Sequence, residues 1–143
     1  MRKMIYSWLG LVCGWGATPL LAQQTFRVME YNVENLFDCR HDSLKQDTEF
    51  LPGSVRNWTY SRFQDKLDKI GKVILAAGKE QVPDLVGLCE VENDFCLKSL
   101  TRYSSLREAG YKYVMTSSPD ERGIDVALLY QPASFRLLTS QKI

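Results

Sequence analysis

Residues 83–93 read PDLVGLCEVEN. After Pro83 the run is short, nearly continuous in apolar residues and rich in Val and Leu, which indicates a strand buried on both faces. Glu90 lies among these apolar residues, where a carboxylate is costly to bury without a partner. A divalent cation is one such partner, and a solvent-exposed strand end is the alternative; for Glu92 the exposed strand end is favoured. The stretch therefore predicts a buried strand that carries a candidate metal ligand.

Strands and helices alternate on both sides of this stretch. Apolar residues at three- and four-residue steps predict an amphipathic helix over residues 63–77, which a capping box at Ser61–Gln64 would begin. A second helix over residues 95–109 would be capped by Asn93 or Asp94 and closed by Gly110. The remaining strands are predicted at residues 25–33, 111–116, 124–130 and 134–139.

This order of elements predicts an α/β (α+β) fold with crossover connections first and hairpins afterwards. The strands are apolar on both faces, so each face of the sheet needs a covering layer. The chain has 143 residues, which is short for that many layers. We therefore expect only part of the domain to be present.

The first 22 residues are typical of a secretory signal peptide. Arg2 and Lys3 precede an apolar run that ends near a cleavage site after Ala22. An uncleaved membrane anchor is the alternative, but the run is marginal for a span and is interrupted by glycines and a proline. We expect residues 1–22 to be removed, leaving residues 23–143 as an exported partial domain, periplasmic or extracellular, with no stable membrane span.

The composition restricts the kind of site. Without Arg2 and Lys3 the charges nearly cancel, which argues against holding nucleic acid by bulk charge but allows a local grip on one phosphate. With His41 as the one histidine and no zinc-like cysteine spacing, a metal would be a hard cation held by oxygen. Of the remaining cysteines at least one would be unpaired; these are Cys39, Cys89 and Cys96.

Two further segments carry polar residues at strand ends. Residues 31–35 read YNVEN and contain Asn32 and Glu34. Residues 122–125 read RGID, where Arg122 offers a bidentate fork for phosphate oxygens. Asp125 lies within an apolar strand pattern, so it is either functional, a structural partner of Arg122, or at a solvent-facing edge.

Together, in this order, residues 31–38, 83–93 and 122–130 resemble the N-terminal half of the DNase-I-like endonuclease/exonuclease/phosphatase superfamily, particularly its exported bacterial members. The resemblance implies a four-layer α/β/β/α sandwich with a Mg²⁺ (or Mn²⁺) site at one end of two packed sheets. It assigns catalytic roles to Asn32 and Glu90. It places Glu90 and Glu34 at the metal, and Asn32, Arg122 and Asp125 at the substrate phosphate.

The implied reaction is in-line attack of water on phosphorus, with an Asp–His pair handling the proton. The later Gly-Asp-x-Asn and Ser-Asp-His segments of the family do not occur in this sequence, and His41 lies too early to replace them. We therefore expect an N-terminal fragment of a Mg²⁺-dependent phosphodiesterase or phosphatase. Nucleic acid is favoured as substrate over phospholipid or inositol phosphate. A non-catalytic exported binding module and an inactive truncated remnant are the alternatives.

Overall fold

The computed structural model describes residues 25–141, so the predicted signal peptide lies outside the described residues. The described part contains a four-stranded mixed sheet, two helices and two short 3-10 turns at Thr48–Phe50 and Arg107–Ala109. In chain order the main elements are β1 (Val28–Leu36), α1 (Tyr60–Gly78), β2 (Leu85–Val91), α2 (Asp94–Tyr103), β3 (Lys112–Met115) and β4 (Asp125–Tyr130).

The sheet has the strand order β1-β2-β4-β3. β1 and β2 are parallel and joined by the crossover helix α1, whereas β4 is antiparallel to both of its neighbours. The predicted mixture of a crossover with a hairpin is confirmed, as is the α/β class. Because β2 lies between β1 and β4, the residues at the end of β2 have a neighbouring strand on each side.

The helix caps correct one sequence expectation. The side chain of Thr59 accepts a hydrogen bond from the Arg62 amide at 3.4 Å, so α1 begins at Tyr60 and Ser61 lies inside the helix. The predicted cap at Ser61 is therefore wrong by two residues. At α2 the Asn93 side chain accepts from the Cys96 amide at 2.9 Å, which decides between the two predicted caps.

The second helix is shorter than the predicted segment of residues 95–109. It ends at Tyr103, where extended backbone at Ser104 stops the helix. The Ser104 hydroxyl bonds the Leu100 carbonyl and accepts from the Leu106 amide at 3.1 Å, which is the local competition that serine offers to helical bonding. A 3-10 turn follows, closed by Gly110 at a φ of 66°.

The predicted fifth strand over residues 134–139 is wrong. The amides of Ser134 and Phe135 both donate to the Gln131 carbonyl, at 3.1 and 2.9 Å. These donors close a turn after Pro132 and so are not available to a strand ladder. Within residues 25–141 no helix is both long and apolar enough to cross a membrane.

The two helices cover one face of the sheet. The core between helices and sheet includes Phe63, Leu67, Leu97, Leu100, Val86, Leu88, Ala127 and Leu129. The opposite face is apolar but open, since Val28 and Val126 are 72% and 50% exposed. The sequence predicts strands covered on both faces, and the described residues supply a cover for one of them.

Candidate functional site

The two parallel strands lose their regular pairing at their C-terminal ends. Asn32 pairs with Cys89, and pairing resumes only where Leu36 lies opposite Val91. The residues between them include three with positive φ: Glu34 (53°), Asn35 (63°) and Glu90 (65°). Non-glycine residues rarely adopt this conformation, and it often marks a functional site.

The bulge in β2 determines where Glu90 points. Val86 and Leu88 are buried, so regular alternation would bury Glu90 as well and expose Val91. Instead Val91 is fully buried and Glu90 is partly exposed. The extra residue therefore turns a carboxylate outward while the apolar side of the strand remains packed.

Hydrogen bonds from β1 hold the Glu90 carboxylate. Asn32 Nδ2 donates to Oε1, and the Asn35 amide donates to Oε2, both at 3.0 Å. Asn32 Oδ1 accepts from the Glu34 amide at 2.8 Å, which fixes the orientation of the Asn32 side chain. Each Glu90 oxygen retains capacity for a second interaction. The structure thus brings together Asn32 and Glu90, both of which the sequence analysis names as site residues.

Glu34 lies beside this pair on the exposed side of the bulge. In the described part of the chain its carboxylate makes no hydrogen bond, and its carbonyl accepts one from Lys66 Nζ of α1. Burial lowers the pKa of Lys66, while the nearby Glu34 and Glu90 carboxylates act in the opposite direction. Sequence reasoning missed Lys66, because nothing in its pattern distinguishes it from Lys69 on the same helix.

Asp125 anchors the loop between β3 and β4. Its Oδ1 accepts from the Thr116 hydroxyl at 2.8 Å and from the Ser118 amide at 2.6 Å. The exposed Arg122 has its Nε 3.7 Å from Asp120 Oδ1, so Arg122 is paired with Asp120 and not with Asp125. The predicted substrate contacts of Arg122 and Asp125 stay predictions.

An open cleft of about 650 Å³ lies between the end of β2 and the β3–β4 loop. Glu90 and Asp125 both line it, together with the acidic loop residues Asp120 and Glu121. Arg122 is not among the residues that line it. The cleft therefore gathers negative charge, which suits a cation more than a bare anion.

The donor groups fit a magnesium ion in chemical type. Among residues 25–141 no three His, Cys, Asp or Glu side chains are grouped to enclose a metal. Mg²⁺, however, is usually bound by one or two carboxylates, with water and substrate phosphate completing the shell. Glu90 offers an oxygen ligand of this kind, whereas Glu34 lines a separate pocket together with Lys66.

A second acidic residue, Glu92, lies immediately after the end of β2. Glu92 Oε2 accepts from the Asp38 amide at 2.7 Å, and Glu92 is partly buried, so the solvent-facing strand end expected for it is wrong. Burial raises the pKa of Glu92 to about 7; the Asp38 amide opposes this, and the carboxylates of Asp38, Asp47 and Asp42 add to it. Asp47 also bonds His41 Nδ1 at 2.5 Å in the β1–α1 loop.

Glu92→Gln is expected to change how stability depends on pH. The folded protein binds the Glu92 proton more tightly than the unfolded chain does, so this group's contribution is full below pH 4.5 and is lost as pH rises through about 7. The free energy of unfolding should fall over this window in the wild type and less steeply in the variant, as measured by urea denaturation at several pH values. An unchanged slope would contradict the assignment. Glu80→Gln, at an exposed turn, is the control and should keep the wild-type slope.

The cysteines show no disulfide in the described residues: Cys39, Cys89 and Cys96 are all free thiols.

Comparison with known proteins gives one finding for the chain as a whole. A model of the Endonuclease/Exonuclease/phosphatase family matches residues 27–143. No curated protein and no solved structure matches the chain.

Proposed function

The chain belongs to the endonuclease/exonuclease/phosphatase family, and from that premise we propose that it is the N-terminal part of an exported, Mg²⁺- or Mn²⁺-dependent phosphoester hydrolase. The family supports a phosphoesterase or nuclease-like hydrolase. The observation that supports the metal site is the Glu90 carboxylate, turned outward at a bulge and held by Asn32 and Asn35. Export is proposed from the sequence of residues 1–22.

In this proposal Glu90 and Glu34 hold the cation, and Asn32 orients Glu90. A bound cation supplies charge stabilisation to the phosphate oxygens. Asn32 Nδ2 carries two hydrogens, of which one is used by Glu90. The other can donate to a phosphate oxygen bound beside Glu90, so that one side chain orients both the metal ligand and the substrate.

The proton acceptor of the reaction is proposed to lie on another layer of the domain. The sequence contains neither the Gly-Asp-x-Asn nor the Ser-Asp-His segment. Asn32 pairs with Cys89 and Cys89 with Val126, and these residues lie on the open face of the sheet. In an α/β/β/α sandwich the second sheet packs on this face, which would bring its side chains next to the site.

We propose nucleic acid as the substrate class, ahead of phospholipid and inositol phosphate, although a fold alone does not select among phosphoesters. A second candidate is an exported binding module that kept the scaffold and lost the chemistry. The two differ in turnover, because a binding module retains ligand without hydrolysing it.

Removal of the metal is expected to abolish hydrolysis. The purified full-length protein, including the layer proposed to carry the proton acceptor, would be incubated with plasmid DNA, a phospholipid and an inositol phosphate in Mg²⁺, then in EDTA, then with Mg²⁺ or Mn²⁺ restored. We expect DNA cleavage that is lost in EDTA and recovered on adding the metal back, because a bound cation stabilises the charge on the phosphate oxygens. Cleavage that survives EDTA would contradict metal dependence, and binding without cleavage would favour the binding module.

A further inference from the structure

We infer that Lys66 is a positioning residue that holds Glu90 in its metal-binding orientation by fixing the bulge of β1. Lys66 does not bond Glu90 itself; it bonds the backbone that does. The inference rests on the proposed function in one respect, since the orientation matters for hydrolysis only if Glu90 binds the metal. The structural part of the inference stands on the contacts alone.

The contacts of Lys66 are directed at the strained part of the bulge. Lys66 Nζ donates to the carbonyl of Glu34 at 2.5 Å and to that of Asn35 at 3.1 Å. These carbonyls belong to the two residues of β1 that have positive φ. A hydrogen bond from a charged donor is about twice as strong as a neutral one, so these bonds oppose the relaxation of the strained backbone.

The ammonium group is held in place from several sides. Leu67, the next residue of α1, is fully buried and fixes the rotation of the helix. Lys66 Nζ also lies 5.5 Å from the centre of the Trp58 ring, a cation–π distance. Lys66 is therefore a fixed cation and not a mobile surface lysine.

The bulge in turn provides both groups that hold Glu90. The amide of Asn35 donates directly to Oε2. The amide of Glu34 donates to Asn32 Oδ1 and so aims Asn32 Nδ2 at Oε1. If the carbonyls of Glu34 and Asn35 lost their bonds to Lys66, both groups that donate to Glu90 would be free to move. Lys66 therefore acts on Glu90 through the two hydrogen bonds that the carboxylate accepts.

Lys66→Met tests this inference, because methionine keeps an unbranched apolar stem and removes the charged donor. Lys69→Met is the matched control: Lys69 is exposed on the same helix and forms no hydrogen bond or ion pair within residues 25–141. The first readout is the rate of amide hydrogen exchange in the metal-free protein, measured by NMR at Asn35 in the bulge and at Leu88 in the core. The second is the affinity for Mn²⁺ alone, from the electron paramagnetic resonance signal of the free ion.

In Lys66→Met we expect exchange at Asn35 to quicken by about tenfold or more, as for loss of bonds to a charged group, with Leu88 unchanged. Mn²⁺ affinity should fall by roughly 10- to 100-fold, as for other residues that orient a ligand, and Lys69→Met should match the wild type in both readouts. Unchanged exchange at Asn35, or equal acceleration at Leu88, would overturn the inference. If Asn35 responds as expected but the wild type binds no Mn²⁺, the proposed function fails while the positioning of Glu90 by Lys66 is supported.

Discussion

Glu90→Gln is expected to lower Mn²⁺ affinity and phosphoester hydrolysis by more than about 100-fold, beyond the range seen for residues that only support a ligand. Glutamine keeps the size of the side chain but removes the negative charge. The groups that hold Glu90, Asn32 Nδ2 and the Asn35 amide, are both donors. The amide nitrogen of a glutamine would therefore face another donor, and the side chain would lose its orientation as well as its charge.

The control for this change is Glu80→Gln. Glu80 is exposed in the turn after α1. The neighbouring Gln81 carbonyl accepts from Arg27, just before the start of β1, so this turn lies at the opposite end of the parallel strands. We expect wild-type binding and activity from Glu80→Gln, measured by titration with Mn²⁺ and by cleavage of plasmid DNA. Undiminished Mn²⁺ binding by Glu90→Gln would assign the metal to another site.

Leu67→Ala should have the largest effect on stability, lowering the free energy of unfolding by about 2–5 kcal/mol. Leu67 is fully buried between α1 and the rest of the core. Truncation removes its buried methyl groups and leaves a cavity that the neighbouring side chains fill only in part. The loss is read as a lower midpoint in urea denaturation at an unchanged slope.

Leu44→Ala makes the same chemical change where nothing is buried. Leu44 is 87% exposed in the β1–α1 loop, and a surface change of this kind stays within about 0.5 kcal/mol. Similar effects of the two substitutions would show that α1 is not packed in solution as it is in this structure.

The elements with strong patterns could be predicted from the sequence. The three- and four-residue spacing of α1 and the apolar run of β2 identified both elements. A helix buried along one stripe repeats its apolar residues at this spacing, and a strand buried on both faces is a short continuous apolar run. Residues 134–139 contain three apolar residues among six, a weaker pattern than that of β2, and they form no strand. Their backbone conformation depends on the turn in which the Ser134 and Phe135 amides bond the Gln131 carbonyl, and the apolar pattern of residues 134–139 does not predict those bonds.

The candidate site was predictable in its residues but not in its geometry. Asn32 and Glu90 were predicted as site residues by motif, and in the structure they are joined by a hydrogen bond. The outward turn of Glu90 depends on a bulge in each of two strands, and a bulge has no reliable sequence signal here because Glu34, Asn35 and Glu90 are not glycines. Lys66 could not be found at all, since its partners are backbone carbonyls.

The bond between Asn32 and Glu90 joins residues 58 positions apart in the chain. A helix such as α1 can form from local contacts, whereas a parallel strand pair must first close the long loop between its members. We therefore expect the groups that hold Glu90 to meet only when β1 and β2 pair. During synthesis, a nascent chain lacks this site until β2 has emerged, and we expect the site to form together with the pairing of β1 and β2.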